Sequence, residues 1–445
     1  MRGGLEETLS FMARISRLFW FFGIIPMLAQ AGGNNFQINA VNLAGQISWT
    51  NAFSSGVCTV EAAAQLKGAN GHTAWVPQQN YFTTNSAGAG SFALLPGNDF
   101  FRLRAVEIFT NTPQAFTNLA QSYGLLHTIA GSGADAGVDG VNYWRPGFEG
   151  GYATNAALSR PHFAMEDNAG NVFIVDKDSD SVLKVTSDGR IHTVAGTHAS
   201  GNGPDGSTIA TNVAMNMPNG LWVRGDGTVY VLDTGNSKVR RLDTNGMMTT
   251  LFTDSSGISI GRGLWVKDDE SLIYYASGSD LKQWTPKGGA SNLNKKFNEL
   301  GNIIVSGTNI VATDRGANTV WLVATNDGIR TLLYGNGETN LVADDTLAAT
   351  NSLYGVRGVW QPPIGGYFLA TDEGAQFLYV DITGVIHILV NGYADAHAGD
   401  GQWFYTPGYK FGQLRSVSMD GQGNLLIVEN DLGYVRRIDF QRLTP

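Results

Sequence analysis

Residues 217–242 read MPNGLWVRGDGTVYVLDTGNSKVRRL. An apolar run, Leu221 to Val223, ends in the turn text Arg224-Gly-Asp-Gly. A second apolar run, Val229 to Leu232, ends in Asp233. A polar stretch then leads into a third run, Lys238 to Leu242. Short β-branched and aromatic runs broken by Gly and Asp predict three antiparallel strands joined by tight turns.

The same text recurs. A close copy starts at Arg160 (RPHFAMEDNAGNVFIVDKDSDSVLKV), and weaker copies start at Gly261, Leu300, Val356 and Leu414. A fourth strand follows most copies, as in RIHTVAG (190–196) and VIHILVNG (385–392). Four strands per unit, repeated at this spacing, predict the blades of a β-propeller, six in number. The last copy stops after its third strand, while an orphan, GLLHTIAG (124–131), precedes the first copy and matches fourth-strand text. The orphan is expected to complete the sixth blade and close the ring, which removes the open edges.

These copies resemble the NHL-repeat family, with residues 218–242 the nearest match to its pattern of Pro-x-Gly, strand, Gly turn and strand ending in Asp. The Gly-Asp-Gly and Ala-Thr loops between copies are similar to those of bacterial exported members. The resemblance spans about residues 124–440 and implies a propeller without implying an activity. The third copy departs from the pattern, with Tyr275-Ala276 where the others place an acid. Residues 33–115 hold short alternating runs, among them GQISWTN (45–51), GVCTVEAA (56–63) and FFRLRAV (100–106). They resemble a fibronectin type III-like β-sandwich, with residues 110–122 as a linker.

Composition agrees with an all-β protein: Gly reaches 57 residues against 13 Pro, and only 15% of residues are charged. A net charge of -9 without a basic block argues against a nucleic-acid partner. Arg14 and Arg17 precede the apolar run LFWFFGIIPMLAQ and the small-x-small end Ala29-Gln30-Ala31. That order predicts a signal peptide over residues 1–31, hence an exported protein with no membrane span after removal. Glu6 and Glu7 suit a signal poorly, so Met12 is an alternative start and an uncleaved anchor the alternative fate. Cys58 is the only cysteine, which excludes an intrachain disulfide and a cysteine-rich zinc site.

In a propeller the first strand of each blade begins on the face where the second ends, near the axis. This gathers three sets of residues with the long loops 131–157, 198–215, 335–352 and 392–411. The lead positions carry His162, Asn219, Arg262, Gly301, Arg357 and Arg415. The second-strand ends carry Asp176, Asp233, Asp314, Asp372 and Glu429. Such basic and acidic residues either tie blades together or bind a ligand. Arg357 and Arg415 have an acid in their own copy. Arg262 has none; it either reaches Asp233 or Asp314 across a blade boundary or stays free, and a free guanidinium makes it the candidate for an anionic ligand group. Three residues deeper lie Trp222, Trp265 and Trp360, expected to fill the axis between blades or line an apolar pocket.

Asp176, Asp178 and Asp180 form an Asp-x-Asp-x-Asp run that can suit Ca²⁺, though the Gly and terminal Glu of a calcium loop are missing. Some NHL propellers resemble peptidyl-hydroxyglycine lyases, whose zinc is held by histidines at lead positions. Here only His162 stands at such a position, and a single histidine does not make a zinc site. His127, His192 and His387 fall on fourth strands, too far apart to share a metal. The expected function is binding or scaffolding of a protein or glycan through the loop-bearing face. The alternative is a propeller enzyme of lyase or lactonase type with a metal at the central channel.

Overall fold

A computed structural model of the chain describes residues 9–14, 37–42, 44–50, 52–64, 73–94, 100–108, 113–134, 138–394, 396–404, 408 and 410–441. The chain forms two units. Of the leader expected over 1–31, all but residues 9–14 lies outside the described residues, as do the first residues of the expected linker.

In the first unit a three-stranded and a four-stranded antiparallel sheet share one core. Ile47 and Trp49 from the smaller sheet meet Cys58, Val60, Phe101 and Leu103 from the larger. Alternation explains the larger sheet's Phe100–Glu107 strand, where Phe101, Leu103 and Ala105 face inward and their neighbours do not. Cys58 is fully buried, and burial pushes its thiol up, so it acts as small apolar filler. Leu9–Arg14, inside the segment expected to be a leader, forms the outer strand of the larger sheet and pairs with Phe100–Glu107. The expected linker is corrected in part: Pro113–Ser122 is an α-helix. Phe116, Leu119, Ala120 and Tyr123 are buried at helical spacing. Tyr123 lies against Phe404 and Phe440, from two later segments that belong to this unit.

Among the described residues the second unit holds six antiparallel sheets of four or five strands. Their innermost strands are Pro161–Glu166, Pro218–Val223, Leu264–Val266, Leu300–Ser306, Val356–Trp360 and Leu414–Met419. Each touches the next, and the sixth touches the first. The unit is therefore a β-propeller ring. The orphan strand Leu126–Ala130 pairs with Tyr434–Ile438 and completes the sixth sheet. Leu426, Val428 and Val435 of that sheet share a core with Ala164, Ile174 and Leu183 of the first. Burying a side chain of this size stabilises by about 1.5–3 kcal/mol. Ring closure thus joins a hydrogen-bonded edge to an apolar seam. Sheets two and five gain a short fifth strand, Thr208–Ile209 and Thr346–Leu347, from the Ala-Thr loops.

Candidate functional site

The lead positions share a backbone device. In the first sheet Pro161 pairs with Asp176 and Phe163 with Val175, which leaves His162 as an extra residue. Asn219, Arg357 and Arg415 are skipped in the same way in sheets two, five and six. In sheet four Gly301 and Asn302 are skipped together. Such a β-bulge re-aims the side chain of the extra residue. Here the repeated bulge brings His162, Asn219, Arg357 and Arg415, together with Arg262, to one cavity of about 450 Å³.

The residue just before the first strand is left-handed in three sheets, Arg160 (φ 62°), Met217 (φ 46°) and Gly355 (φ 68°), and Ile260 (φ 38°) is left-handed four residues before Leu264–Val266. This is a costly conformation for a β-branched residue. Arg160, Met217 and Ile260 stand at the cavity, and the last two expose apolar surface there.

The second-strand ends divide into two groups. Asp176, Asp233, Asp314 and Glu429 accept backbone N–H groups of the chain leading into their own sheet, from Ser159, Asn216, Asn298 and Gly412. They are fasteners of their own blades. In sheet three Ser277 takes this place, its Oγ accepting the Ser259 N–H at 3.0 Å. The expected gap in that copy is corrected accordingly: the equivalent residue is Ser277, one past the Tyr275-Ala276 pair. Asp372 is also corrected. The register pairs Val356 with Thr371, so Thr371 holds the fastener position and Asp372 is the residue after it. In other sheets that following position carries Lys177, Thr234 and Arg315, all of which line the cavity. Lys177 and Arg315 arrive there on 3₁₀ turns.

Asp372 gathers three guanidiniums: Arg357 and Arg415, each at 2.8 Å, and Arg315 at 3.1 Å. Arg415 was expected to pair with Glu429, which instead holds Arg436. Arg262 is not free, and its partner is neither of the acids weighed from the sequence, Asp233 and Asp314. It pairs with Glu299 at 2.7 Å, and Glu299 also holds Arg315 at 2.7 Å. Arg315 further contacts Glu373. At the rim Asp139 pairs with Lys177 and Arg160, and Asp178 with Lys177.

Six cationic side chains line the cavity, Arg160, Lys177, Arg262, Arg315, Arg357 and Arg415. They touch five carboxylates: Asp139, Asp178, Glu299, Asp372 and Glu373. Burial works against the charge of Glu299, but Arg262, Arg315 and Arg357 outweigh it and hold its carboxyl below the usual range. For Asp372 burial wins and pushes the carboxyl up to about 6 despite Arg357. Burial, with the Arg262 charge beside it, pulls Arg357 down to about 9. His162 bonds through Nδ1 to Asn219. Burial and the nearby charges of Arg262, Lys177 and Arg357 keep its imidazole neutral well below the ordinary range. Several buried donors have no acceptor among the described residues: Nε of Arg262, Nε and Nη1 of Arg357, and Nε of Arg415.

The tryptophans lie together, but not at this cavity. Trp222 of sheet two stands 6.2 Å from Trp265 of the neighbouring sheet and 6.5 Å from Trp360 of sheet five, ring centroid to centroid. Sheets two and five face each other across the ring, so the indoles fill the axis. Each also packs against the cores between sheets.

The Asp-x-Asp-x-Asp run is not a shared site. Asp176 accepts from Ser159 and Ser179, Asp178 from the Gly140 N–H, and Asp180 from the Met217 N–H. The three carboxylates serve three different backbone segments. The Gly-Asp loops are likewise engaged: Asp205 pairs with Lys238 and Asp400 with Arg436. Among the described residues, Asp344, Asp345 and His387 are the one group of His, Cys, Asp or Glu side chains close enough to share an ion. That group lies at an outer strand, where Nδ1 of His387 faces Asp345 and Nε2 faces Asp381.

No family model and no curated protein matches the chain. Solved structures do. A Bacteroides thetaiotaomicron protein of unknown function is similar with a TM-score of 0.57 and 13% identity, over 93% of this chain and 99% of that one. An auxiliary nutrient binding protein of the same organism gives 0.53 and 11%, over 91% and 97%. One from Bacteroides ovatus gives 0.52 and 10%, over 88% and 94%. These likenesses show the fold. No described helix is long and apolar enough to cross a membrane.

Proposed function

We propose that this chain is an exported NHL-repeat propeller that works as a binding protein, presenting the loop-bearing face of the ring to a protein or glycan that carries an anionic group. The fibronectin type III-like module serves it as a spacer or second adhesion surface. The observation that carries this reading is the cavity at the ring's lead positions, where six cationic side chains converge on a rigid frame. Two of the Bacteroides neighbours are described as auxiliary nutrient binding proteins, and for this chain a binding role is a proposal supported by its own cavity.

The enzyme alternative, with a divalent ion at the axis, fits these residues poorly. Such an ion would face the guanidiniums, and the carboxylates present are already bridged by them. The test is an array of neutral and uronate-bearing glycans, probed with the wild type and with Arg262→Met. Retention of the acidic glycans by the wild type, reduced at least tenfold in the variant, is expected. Equal retention by both proteins overturns the reading.

A further inference from the structure

The buried guanidiniums at the axis carry more donors than the protein satisfies. Arg357 exposes only 4% of its side chain, yet its Nε and Nη1 have no acceptor among the described residues. Nε of Arg262 and of Arg415 share that condition. Buried N–H groups without acceptors are costly, and a planar guanidinium fork matches the two oxygens of a carboxylate. The charge count agrees. Six cations against the five carboxylates they touch leave one positive charge, with His162 neutral between them. The indoles fill the axis away from the cavity, whose lining includes Met217 and Ile260. Those two exposed apolar side chains at the rim suit a ligand with an apolar body.

We propose that the axial cavity binds the single carboxylate of a small organic acid, seated among Arg262, Arg357 and Arg415 with its apolar part toward Met217 and Ile260. This rests on the part of the reading above that makes the cavity a site for an anionic group, and narrows the occupant from a protein or glycan to a free small acid. A cavity of about 450 Å³ accommodates a ring-sized acid, not a folded chain. Asp372 sets the strength of the site. It is the carboxylate shared by Arg315, Arg357 and Arg415, with Glu373 beside it, and it competes with the ligand for the same guanidiniums. Removing its charge strengthens anion binding, whereas removing an arginine weakens it.

The experiment is titration calorimetry on the full chain at low ionic strength and pH 7.5. The probes are sodium benzoate, sodium acetate, sodium glucuronate, an oligogalacturonate, sodium sulfate and benzamidine hydrochloride. Benzoate is expected to bind saturably, one per chain and more tightly than acetate or sulfate, with benzamidine silent. Glucuronate binding at least as well as the oligogalacturonate identifies a free small acid as the source of the carboxylate. The reverse order places that carboxylate on a polymer and overturns the small-acid assignment.

Arg262→Met and Arg357→Met should each weaken benzoate at least tenfold, with Arg357→Lys recovering part of the loss. Asp372→Asn should tighten it severalfold and abolish the further tightening that the wild type shows as pH falls from 7.5 to 5.5. A merely structural role predicts that all these variants weaken binding together, and that result overturns the proposal. So does sulfate binding as tightly as benzoate. If the glycan array still reads Arg262 while none of the carboxylate probes binds, this inference falls and the binding-face reading stands.

Discussion

Arg240 and Arg357 are the same residue at nearly the same burial, in two regions of one ring. Arg240, on the third strand of sheet two, is fully buried. Its Nε meets Asp233 at 2.7 Å, and its other nitrogens meet Pro204, Thr250, Asn202 and Gly203. Arg357 sits on a bulge at the axis of sheet five, meets Asp372 through one nitrogen, and leaves two buried donors without acceptors. The first is a fastener in which every donor is used. The second shares its acid with two further guanidiniums. Burial and an ion pair do not by themselves separate the two; what differs is that Arg357 combines two donors left over with a place in the lining of the cavity.

The largest effect expected from this contrast is in stability. Arg240→Met strands Asp233 in the core and should cost about 3–5 kcal/mol. At about 2–4 °C per kcal/mol, that is a fall in Tm of roughly 6–20 °C. Arg357→Met leaves Asp372 with two partners and removes unmet donors, so about 1–2 kcal/mol is expected. Thermal melts of the two variants settle it, and equal losses would dissolve the contrast.

The next effect is in pH. Asp176 is a fastener with no cation paired to it among the described residues, and burial pushes its carboxyl up to about 7. A folded-state value above the unfolded one gives stability that is full below the unfolded pKa and is lost as pH rises through the folded one. The wild type should therefore gain a few degrees of Tm from this group between pH 8.5 and 5. Asp176→Asn should lack that gain while keeping its acceptor for the Ser159 N–H. An unchanged pH profile in the variant would sink the assignment.

The smallest effect is at Ser277. Ser277→Ala leaves the Ser259 N–H without its acceptor and should cost about 0.5–1.5 kcal/mol. A neutral variant would show that sheet three needs no fastener at that position.

The ring was legible because its repeat is written in turn chemistry and period-two alternation, both local signals. Closure was legible because the orphan strand and the missing fourth strand are complementary in text. The lead positions were legible too, and His162, Asn219, Arg262, Arg357 and Arg415 all reach one cavity. Their pairing was not. The bulge shifts register by one residue, so Thr371 and not Asp372 aligns with the fasteners, and Asp372 instead meets Arg315, Arg357 and Arg415. Arg160, Lys177, Glu299 and Arg315 were missed because they stand one residue before a first strand or after a second one. Once the bulge is known, those flanking positions can be read from every copy. The helix at Pro113–Ser122 was hidden by Pro, Gln, Asn and Thr, although Phe116, Leu119, Ala120 and Tyr123 already carried a helical period.

The pairing of Leu126–Ala130 with Tyr434–Ile438 bears on how the ring comes into being. The partners lie about 300 residues apart, so during synthesis the early strand waits roughly 15–60 s for the late one at about 5–20 residues per second. Until then Leu126–Ala130 lacks the one strand it pairs with in the finished sheet. The last hydrogen bonds to form are also those of longest range, which makes completion of the ring slow and exposes its edges to aggregation until the final strand arrives.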